Sequence, residues 1–199
     1  IIKMVNNSWH ALKIVFANEI SNICRENQID SENVMDLFKA DTQLNISSKY
    51  LSPGFAYGGS CLPKDLRALS SLHSSKNNLF QSVEVSNETK IKSIYREIKQ
   101  IMKFSSSEKP KILFLGVSFK EGTDDVRMSP AVTLINEYFM KDNELKFELM
   151  VHDRNVRDSI DEGINSKFLI PLLGKITEFL VDDLNESIER ADIIVFVNR

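Results

Sequence analysis

The residues best suited to chemistry lie in one short stretch of this 199-residue chain, PGFAYGGSCLPKDL at positions 53 to 66. Cys61 stands there after glycines at positions 54, 58 and 59, and Lys64 and Asp65 follow it. The pattern predicts that Cys61 begins a helix, where the helix dipole and the Lys64 cation both favour a thiolate. Glycines let backbone amides approach a bound anion closely. The stretch therefore predicts a nucleophilic cysteine, the alternative being a tight turn before a helix with a buried thiol.

Helical periodicity fills the region around this stretch. Apolar residues recur at helical spacing over 9–24, and a second helix is predicted over 31–40, with Ser31 as its cap and Val34, Leu37 and Phe38 facing inward. A helix starting at Cys61 has Leu62, Leu66 and Leu69 on one face, and a long amphipathic helix is predicted over 83–104. Cys24 lies in the apolar stripe of the first helix, so we interpret it as a buried hydrophobic residue.

The pattern changes after the polar segment SSSEKPK at 105–111, which is the predicted linker. Strands are predicted at 111–117, 146–153 and 191–197, with a helix at 129–141 between the first two. This order is typical of a parallel sheet covered by helices. The predicted fold class is α/β, with a helical domain over 1–104 and a Rossmann-like domain over 105–199. The loop after the first strand lies where open α/β sheets bind ligands, although its glycines do not form the dinucleotide-binding motif.

Composition narrows the classes of partner. The formal net charge of −3 provides no broad basic surface, so nucleic acid is not an expected partner. No apolar run is long enough to span a membrane, and the chain shows no signal peptide, which predicts a cytoplasmic protein. The two cysteines lie in no zinc-binding spacing with histidines, so no metal is expected. Because the chain starts at Ile1 and stops after a predicted strand, we expect it to be a fragment of a longer protein.

Three segments resemble one enzyme family. GFAYGGSCLPKD at 54–65 resembles the active-site segment of the UDP-glucose and GDP-mannose dehydrogenases, the nucleotide-sugar 6-dehydrogenases. KMVNNSWHALKIVFANEI at 3–20 resembles the start of the central helical domain of that family, and GVSFKEGTDDVRMSP at 116–130 resembles its C-terminal signature. The three segments occur in the order of the family and cover most of the chain.

The resemblance implies an NAD-dependent oxidation of the C6 alcohol of a nucleotide-sugar to a carboxylate. It assigns Cys61 as the nucleophile that forms a thiohemiacetal and then a thioester. It implies that Lys3 and Asn7, one helical turn apart, stabilise the oxyanion and position water, and that Asp65 assists them. By the same resemblance, Lys64 and Arg127 face NAD.

The resemblance also implies substrate contacts and a homodimer through the central helices. The substrate-binding residues that it assigns are His10, Asn45, Tyr50, Phe55, Tyr57, Gly58 and Lys120. Aromatic residues at 55 and 57 and the WHALK segment at 9–13 are more similar to GDP-mannose dehydrogenases than to UDP-glucose dehydrogenases, so GDP-mannose is the favoured substrate. Ser52 departs from the family, which commonly has a basic residue there, and Lys49 is the neighbour that could replace that cation.

Other interpretations remain open at this point. Lys3 and Asn7 could form a solvated helix face, and Asp124 and Asp125 could serve only to shape a turn. The chain could be a non-catalytic module that binds a nucleotide-sugar and dimerises. A thiol enzyme that pairs Cys61 with His73 is a third possibility, although about 18 Å of helix rise separates these residues. The resemblance further implies that the N-terminal NAD domain of the family is absent here, so the 199 residues alone should be inactive.

Overall fold

The structure is a computed structural model that describes residues 2–47, 50, 54–75, 77–163 and 166–197, while the side chains at 4–8, 10, 11, 14 and 15 lie outside the description. It divides into two compact units. The first unit comprises 1–54 and 64–86, and the second comprises 55–63 and 87–199. The sequence predicts a domain boundary between residues 104 and 105. In the structure, residues 55–63 and residues from 87 onward belong to the same unit as the C-terminal residues. The predicted domain boundary itself stays a prediction.

The first unit is built from helices. Helix α1 spans Ile2–Glu26, α2 spans Ser31–Ala40, α3 spans Cys61–Leu72 and α4 spans Leu79–Met102, with α3 and α4 continuing across both units. The ring of Phe16 packs on Phe38 and Phe80, with centroids 5.6 and 6.1 Å apart respectively. Cys24 is buried, as its place in the apolar stripe predicted. Phe80 is fully buried, and burial of such a side chain stabilises the unit by about 2 kcal/mol.

Three details of the predicted helices are wrong. Asp30, and not Ser31, caps α2, because its carboxylate accepts the backbone N–H groups of Glu32 and Asn33. Val34 is 36% exposed and Leu37 is 78% exposed, so neither is buried among the described residues as predicted. Helical spacing identifies a common face but does not reveal whether another element covers that face.

The second unit has a parallel sheet as its centre. Strands β1 (Lys111–Leu115), β2 (Glu148–His152) and β3 (Ile193–Phe196) are arranged in the order β2-β1-β3 among the described residues. Leu113 of β1 is in register with Met150 on one side and Ile194 on the other. All three strands lie within the predicted ranges, and a central strand paired on both sides is buried as expected for an α/β sheet.

Helices cover this sheet. Helix α5 (Pro130–Thr133) is capped by Ser129, whose hydroxyl accepts the Val132 N–H, and it continues as a π-helix over Leu134–Phe139. The later elements, which the sequence did not assign, are listed in chain order: α6 (Arg154–Asp161), α7 (Ser166–Leu173), a 3₁₀ helix (Gly174–Phe179) and α8 (Leu184–Arg190). Ile91, Ile94 and Ile98 of α4 are buried in the same core as β1. Across the described residues no helix is long and apolar enough to cross a bilayer.

Candidate active site around Cys61

Cys61 occupies the position that the sequence predicted, at the first residue of α3. Its thiol is exposed, and its sulfur lies 3.9 Å from the Ser60 hydroxyl. Pro63 is buried in the first turn, where the ring costs the helix no hydrogen bond. The thiol therefore lies at the positive end of the helix dipole and is accessible to a ligand.

The glycine-rich loop, residues 54–60, packs on the loop that follows β1, residues 116–130. A Cβ atom built on Gly58 would lie 2.4 Å from the Met128 carbonyl oxygen and 2.6 Å from the Pro130 ring. Gly59 has a φ of +87°, and a Cβ atom there would lie 2.8 Å from the Phe119 ring. Both positions therefore require glycine. Two motifs that are separate in sequence meet here, within the second unit.

A side-chain amide fixes the glycine-rich loop from another direction. Tyr57 donates its backbone N–H to Asn87 Oδ1 at 3.0 Å, and Asn87 Nδ2 donates to the Tyr57 carbonyl at 2.9 Å. Asn87 lies on α4, and the sequence analysis did not single it out. The only sequence signal is a polar residue one turn before the buried Ile91 stripe.

The loop after β1 is closed by a buried carboxylate. Asp153 Oδ2 accepts the backbone N–H groups of Val117 and Ser118 at 2.8 and 3.0 Å, and its Oδ1 accepts Val156 N–H at 3.2 Å as the cap of α6. The two amides lie where a Rossmann fold presents donors to a pyrophosphate. Here they already hold an anion, which agrees with the missing dinucleotide motif. The sequence analysis missed Asp153, although an aspartate directly after a strand is a usual helix cap.

Arg127 forms an ion pair within the same loop. Its Nη2 lies 2.6 Å from Asp125 Oδ2, while its backbone N–H donates to Asp125 Oδ1 at 2.9 Å. The hydrogen bonds from Arg127 lower the pKa of the Asp125 carboxyl, and the same contact raises the pKa of the guanidinium, with a small further rise from the charge of Cys61. Asp124 accepts the Ser159 hydroxyl at 2.8 Å. Both aspartates thus shape the loop, the interpretation weighed for them from the sequence.

A cleft of about 610 Å³ opens beside this loop. Arg127 and Lys167 supply cationic side chains to its lining, and Phe168 and Leu172 supply apolar ones. Phe168 is 75% exposed. The sequence analysis did not identify this cleft because α7, its second wall, was not predicted.

The remaining predicted residues of the second unit are less tightly engaged. Phe55 is partly buried against the core of the unit, and Lys120 is exposed, with its carbonyl accepting the Ser118 hydroxyl at 3.0 Å. Within this unit the structure therefore groups Cys61, Gly58 and Tyr57 with the loop that carries Lys120 and Arg127.

Other predicted residues belong to the first unit. Lys3 is exposed on α1, and Lys64 pairs with Asp65 at 3.2 Å on the surface of α3. Asn45 donates to the Phe38 carbonyl at 3.3 Å, and Tyr50 is exposed with a φ of +63°. The side chains of Asn7 and His10, and residues Lys49 and Ser52, lie outside the described part.

His73, considered as a partner for Cys61, is engaged within the first unit. Its Nδ1 accepts the Ser75 N–H at 3.0 Å, and its Nε2 faces Glu19 Oε2 at 3.4 Å, too far for a good hydrogen bond. Nδ1 is therefore engaged by Ser75, while Nε2 is buried beside Glu19 without a hydrogen bond. Within the described ranges, no cluster of three or more His, Cys, Asp or Glu side chains is arranged to hold a metal ion.

Profile comparison matches both parts of the chain to one family. Residues 1–89 match the UDP-glucose/GDP-mannose dehydrogenase family, central domain, and residues 113–199 match the UDP binding domain of the same family. The unmatched residues between them include the predicted linker.

Individual proteins agree with the profiles. GDP-mannose 6-dehydrogenase of Pseudomonas putida is 39% identical over the whole of this chain, which spans 44% of that protein. UDP-glucose 6-dehydrogenase of Rickettsia prowazekii is 34% identical over 73% of the chain and 34% of its own length. The crystal structure of a ternary complex of GDP-mannose dehydrogenase from Pseudomonas aeruginosa superposes with a TM-score of 0.86 at 38% identity, covering 100% of this chain and 44% of the other. The chain thus spans less than half the length of these relatives.

Proposed function

Because this chain belongs to the UDP-glucose/GDP-mannose dehydrogenase family, we propose that the protein containing it oxidises the C6 alcohol of a nucleotide-sugar to a carboxylate with NAD. The observation that carries the proposal is the packing of the Cys61 loop on the loop that bears Lys120 and Arg127. This packing places the Cys61 loop against the loop whose Arg127 lines a cleft of about 610 Å³, a volume within the usual range of ligand sites.

The oxidation proceeds in two stages. The alcohol first loses a hydride and a proton to become an aldehyde. The Cys61 thiolate then adds to the aldehyde carbon, and the resulting thiohemiacetal loses a second hydride to become a thioester. Water cleaves the C–S bond and returns the thiolate. Each turnover consumes one water and two NAD, and yields one carboxylate, two NADH and three protons.

Three polar residues are assigned to support this chemistry. Lys3 and Asn7, one turn apart on α1, would stabilise negative charge on the reacting oxygen and orient water. Removal of one such donor costs on the order of 3 kcal/mol in barrier height. Asp65 would take part in the proton and water network, and its exposed carboxylate beside Lys64 is free of a buried structural role.

NAD, when bound, supplies the acceptor for both hydrides. The described residues fit part of that cofactor: Lys64 and Arg127 are exposed cations of the kind that contact its pyrophosphate. The amides after β1 do not fit it, because the Asp153 carboxylate occupies them. We therefore assign most contacts to NAD to a region outside these 199 residues.

We assign the substrate-binding roles that the family resemblance implies to residues of each unit. Lys120, Phe55, Tyr57 and Gly58 lie on the two packed loops, while His10, Asn45 and Tyr50 belong to the first unit. Nucleotide-sugar binding is supported by the match to the UDP binding domain. GDP-mannose is the favoured substrate because the relatives at 38 and 39% identity are GDP-mannose 6-dehydrogenases.

We also propose a homodimer through the helices of the first unit. Several apolar side chains on these helices are exposed in the single chain, among them Trp9, Leu12 and Leu37. Surfaces of this type are usually covered by another copy or another protein.

The proposal is tested with the full-length protein, NAD and a panel of nucleotide-sugars. We expect two NADH for each sugar carboxylate formed, with GDP-mannose giving the highest kcat/KM. A non-catalytic binding module, the alternative considered from the sequence, would bind the sugar nucleotide and produce no NADH.

A further inference from the structure

We propose that Asn87 is a positioning residue for Cys61, and this inference rests on the proposed oxidation. Its side-chain amide satisfies both backbone groups of Tyr57, with N···O distances of 3.0 and 2.9 Å. Asn87 thereby pairs with the N–H and the carbonyl of one residue, as a neighbouring β-strand does. This pairing fixes the direction of the backbone four residues before Cys61. An amide is suited to this contact because it carries a donor and an acceptor on one planar group.

Asn87 is itself held by a firmly packed helix. The turns of α4 that follow it place Ile91, Ile94 and Ile98 in the core of the second unit. Further along, Lys99 donates to Asp142 at 2.6 Å, and the Tyr95 hydroxyl donates to the same carboxylate. The amide is thus carried by an element that has little freedom to shift relative to the sheet.

The segment between Tyr57 and Cys61 transmits this restraint. Gly58 is in contact with Met128 and Pro130, and Gly59 is in contact with Phe119, without space for a further carbon atom at either position. Only Ser60 then separates the packed glycines from the thiol. The position of Cys61 therefore depends on the hydrogen bonds between Asn87 and Tyr57 at one end of the loop and on the start of α3 at the other.

The two stages of the oxidation depend differently on this restraint. The alcohol loses its hydride without a bond to sulfur, whereas the second stage requires Cys61 at bonding distance from the aldehyde carbon. At saturating nucleotide-sugar, where weaker substrate binding does not limit the rate, loss of the hydrogen bonds between Asn87 and Tyr57 should therefore slow the second hydride transfer selectively. A variant that merely lowers the amount of folded protein would reduce the amplitudes of both phases and leave their rate constants unchanged.

The experiment compares Asn87→Ala and Asn87→Asp with the parent in the full-length protein, by single-turnover formation of NADH. Asp keeps the size and the acceptor of Asn but cannot donate to the Tyr57 carbonyl. Ser86→Ala is the matched control, since it changes an exposed neighbour on the same helix. We expect the second phase to slow by about tenfold or more in both Asn87 variants, and the first phase to change by less than about threefold.

Two further measurements do not require turnover. Hydrogen exchange over residues 55–61 should become at least about tenfold faster in Asn87→Ala, while exchange over β1 stays unchanged. Iodoacetamide should modify Cys61 at least about threefold more slowly in Asn87→Ala than in the parent. The thiol is already exposed, so a looser loop gives the reagent little additional access. Fraying of the first turn of α3 would weaken the helix dipole at the sulfur and so reduce its reactivity. The buried Cys24 reports any global unfolding.

Equal slowing of both phases, or unchanged exchange and alkylation at 55–61, would overturn the positioning role. If the parent protein forms no NADH with any nucleotide-sugar, the proposed oxidation fails instead. Exchange and alkylation then decide the positioning role on their own. If Asn87→Ala exposes Cys24, the isosteric Asn87→Asp variant provides the comparison.

Discussion

The carbonyl oxygen of Met128 lies only 2.4 Å from the position that a Cβ atom on Gly58 would take. Met128 has a φ of +49°, in the left-handed region, whereas Gly58 has no positive φ. The loop that bears Cys61 and the loop after β1 consequently fit together without space for one methyl group. This close approach explains why glycine is needed at a position where the chain makes no sharp turn.

The first prediction concerns this contact. Gly58→Ala should destabilise the second unit by about 1 to 3 kcal/mol, because backbone or the Pro130 ring must move to admit the methyl group. Activity of the full-length protein should fall further than the loss of folded protein explains. Gly54→Ala is the matched control, since nothing lies within 4 Å of a Cβ atom built there. Urea unfolding that gave the two variants the same midpoint would contradict this account of the loop contact.

The second prediction concerns pH and the hydrogen bonds that Asp142 accepts from Lys99 and Tyr95 of α4. Asp142 accepts hydrogen bonds from Lys99 and Tyr95, and these contacts lower its pKa from 3.8 to about 2. Because the folded state has the lower pKa, the stabilisation is fully present above pH 4 and is lost as the pH falls through about 2. Asp142→Asn should lower the free energy of unfolding at pH 7 and flatten its decline below pH 4. Asp36→Asn, which breaks the exposed pair with Lys39, serves as the control and should leave that decline intact.

Much of the second unit could be predicted, since continuous apolar runs identify buried parallel strands such as β1. Helices α6 to α8 were not assigned, in part because Pro171 and the nearby Gly174 interrupt the apolar pattern of α7. The exposure of Leu37 could not be predicted, because periodicity shows which residues share a face and not what covers it.

The place of Cys61 at a helix start was easier to predict than the contacts that hold its loop. Cys61 was identifiable because a thiol, glycines and a helix start are adjacent in sequence. The partner of Asn87 is 30 residues away, and that of Asp153 is 35 to 36 residues away, so neither contact has a local signature. Such residues are found only when the folded chain brings the two segments together.

The third prediction concerns the isolated 199 residues. We expect them to show no NAD-dependent turnover, because the described residues provide few contacts to the cofactor and the amides after β1 are occupied by Asp153. The purified chain is incubated with NAD and a panel of nucleotide-sugars, and absorbance of NADH is followed, with the full-length protein as the positive control. NADH formation by the isolated chain would contradict the assignment of NAD binding to another region.

The fourth prediction concerns the nucleotide-sugar. We expect GDP-mannose to bind the full-length protein more tightly than UDP-glucose, in line with the aromatic residues at 55 and 57. Ser52 stands where the family commonly has a basic residue. Unless a neighbouring cation replaces that residue, the free energy of ligand binding should be weaker by about 1.5 to 3 kcal/mol. Calorimetric titration with both ligands measures the difference. Tighter binding of UDP-glucose by about tenfold, or 1.4 kcal/mol, would overturn the GDP-mannose assignment and leave the family assignment intact.

The covalent role of Cys61 is the central claim, and the Cys61→Ser variant of the full-length protein tests it most directly. A hydroxyl is a far weaker nucleophile than a thiolate at neutral pH, so oxidation should stop after the first hydride transfer. Quenched reactions with GDP-mannose and NAD, analysed by mass spectrometry, should show the sugar aldehyde, or a slowly hydrolysed ester on Ser, where the parent gives the carboxylate. Formation of the carboxylate by Cys61→Ser at the rate of the parent would contradict the account and make Cys61 a structural residue.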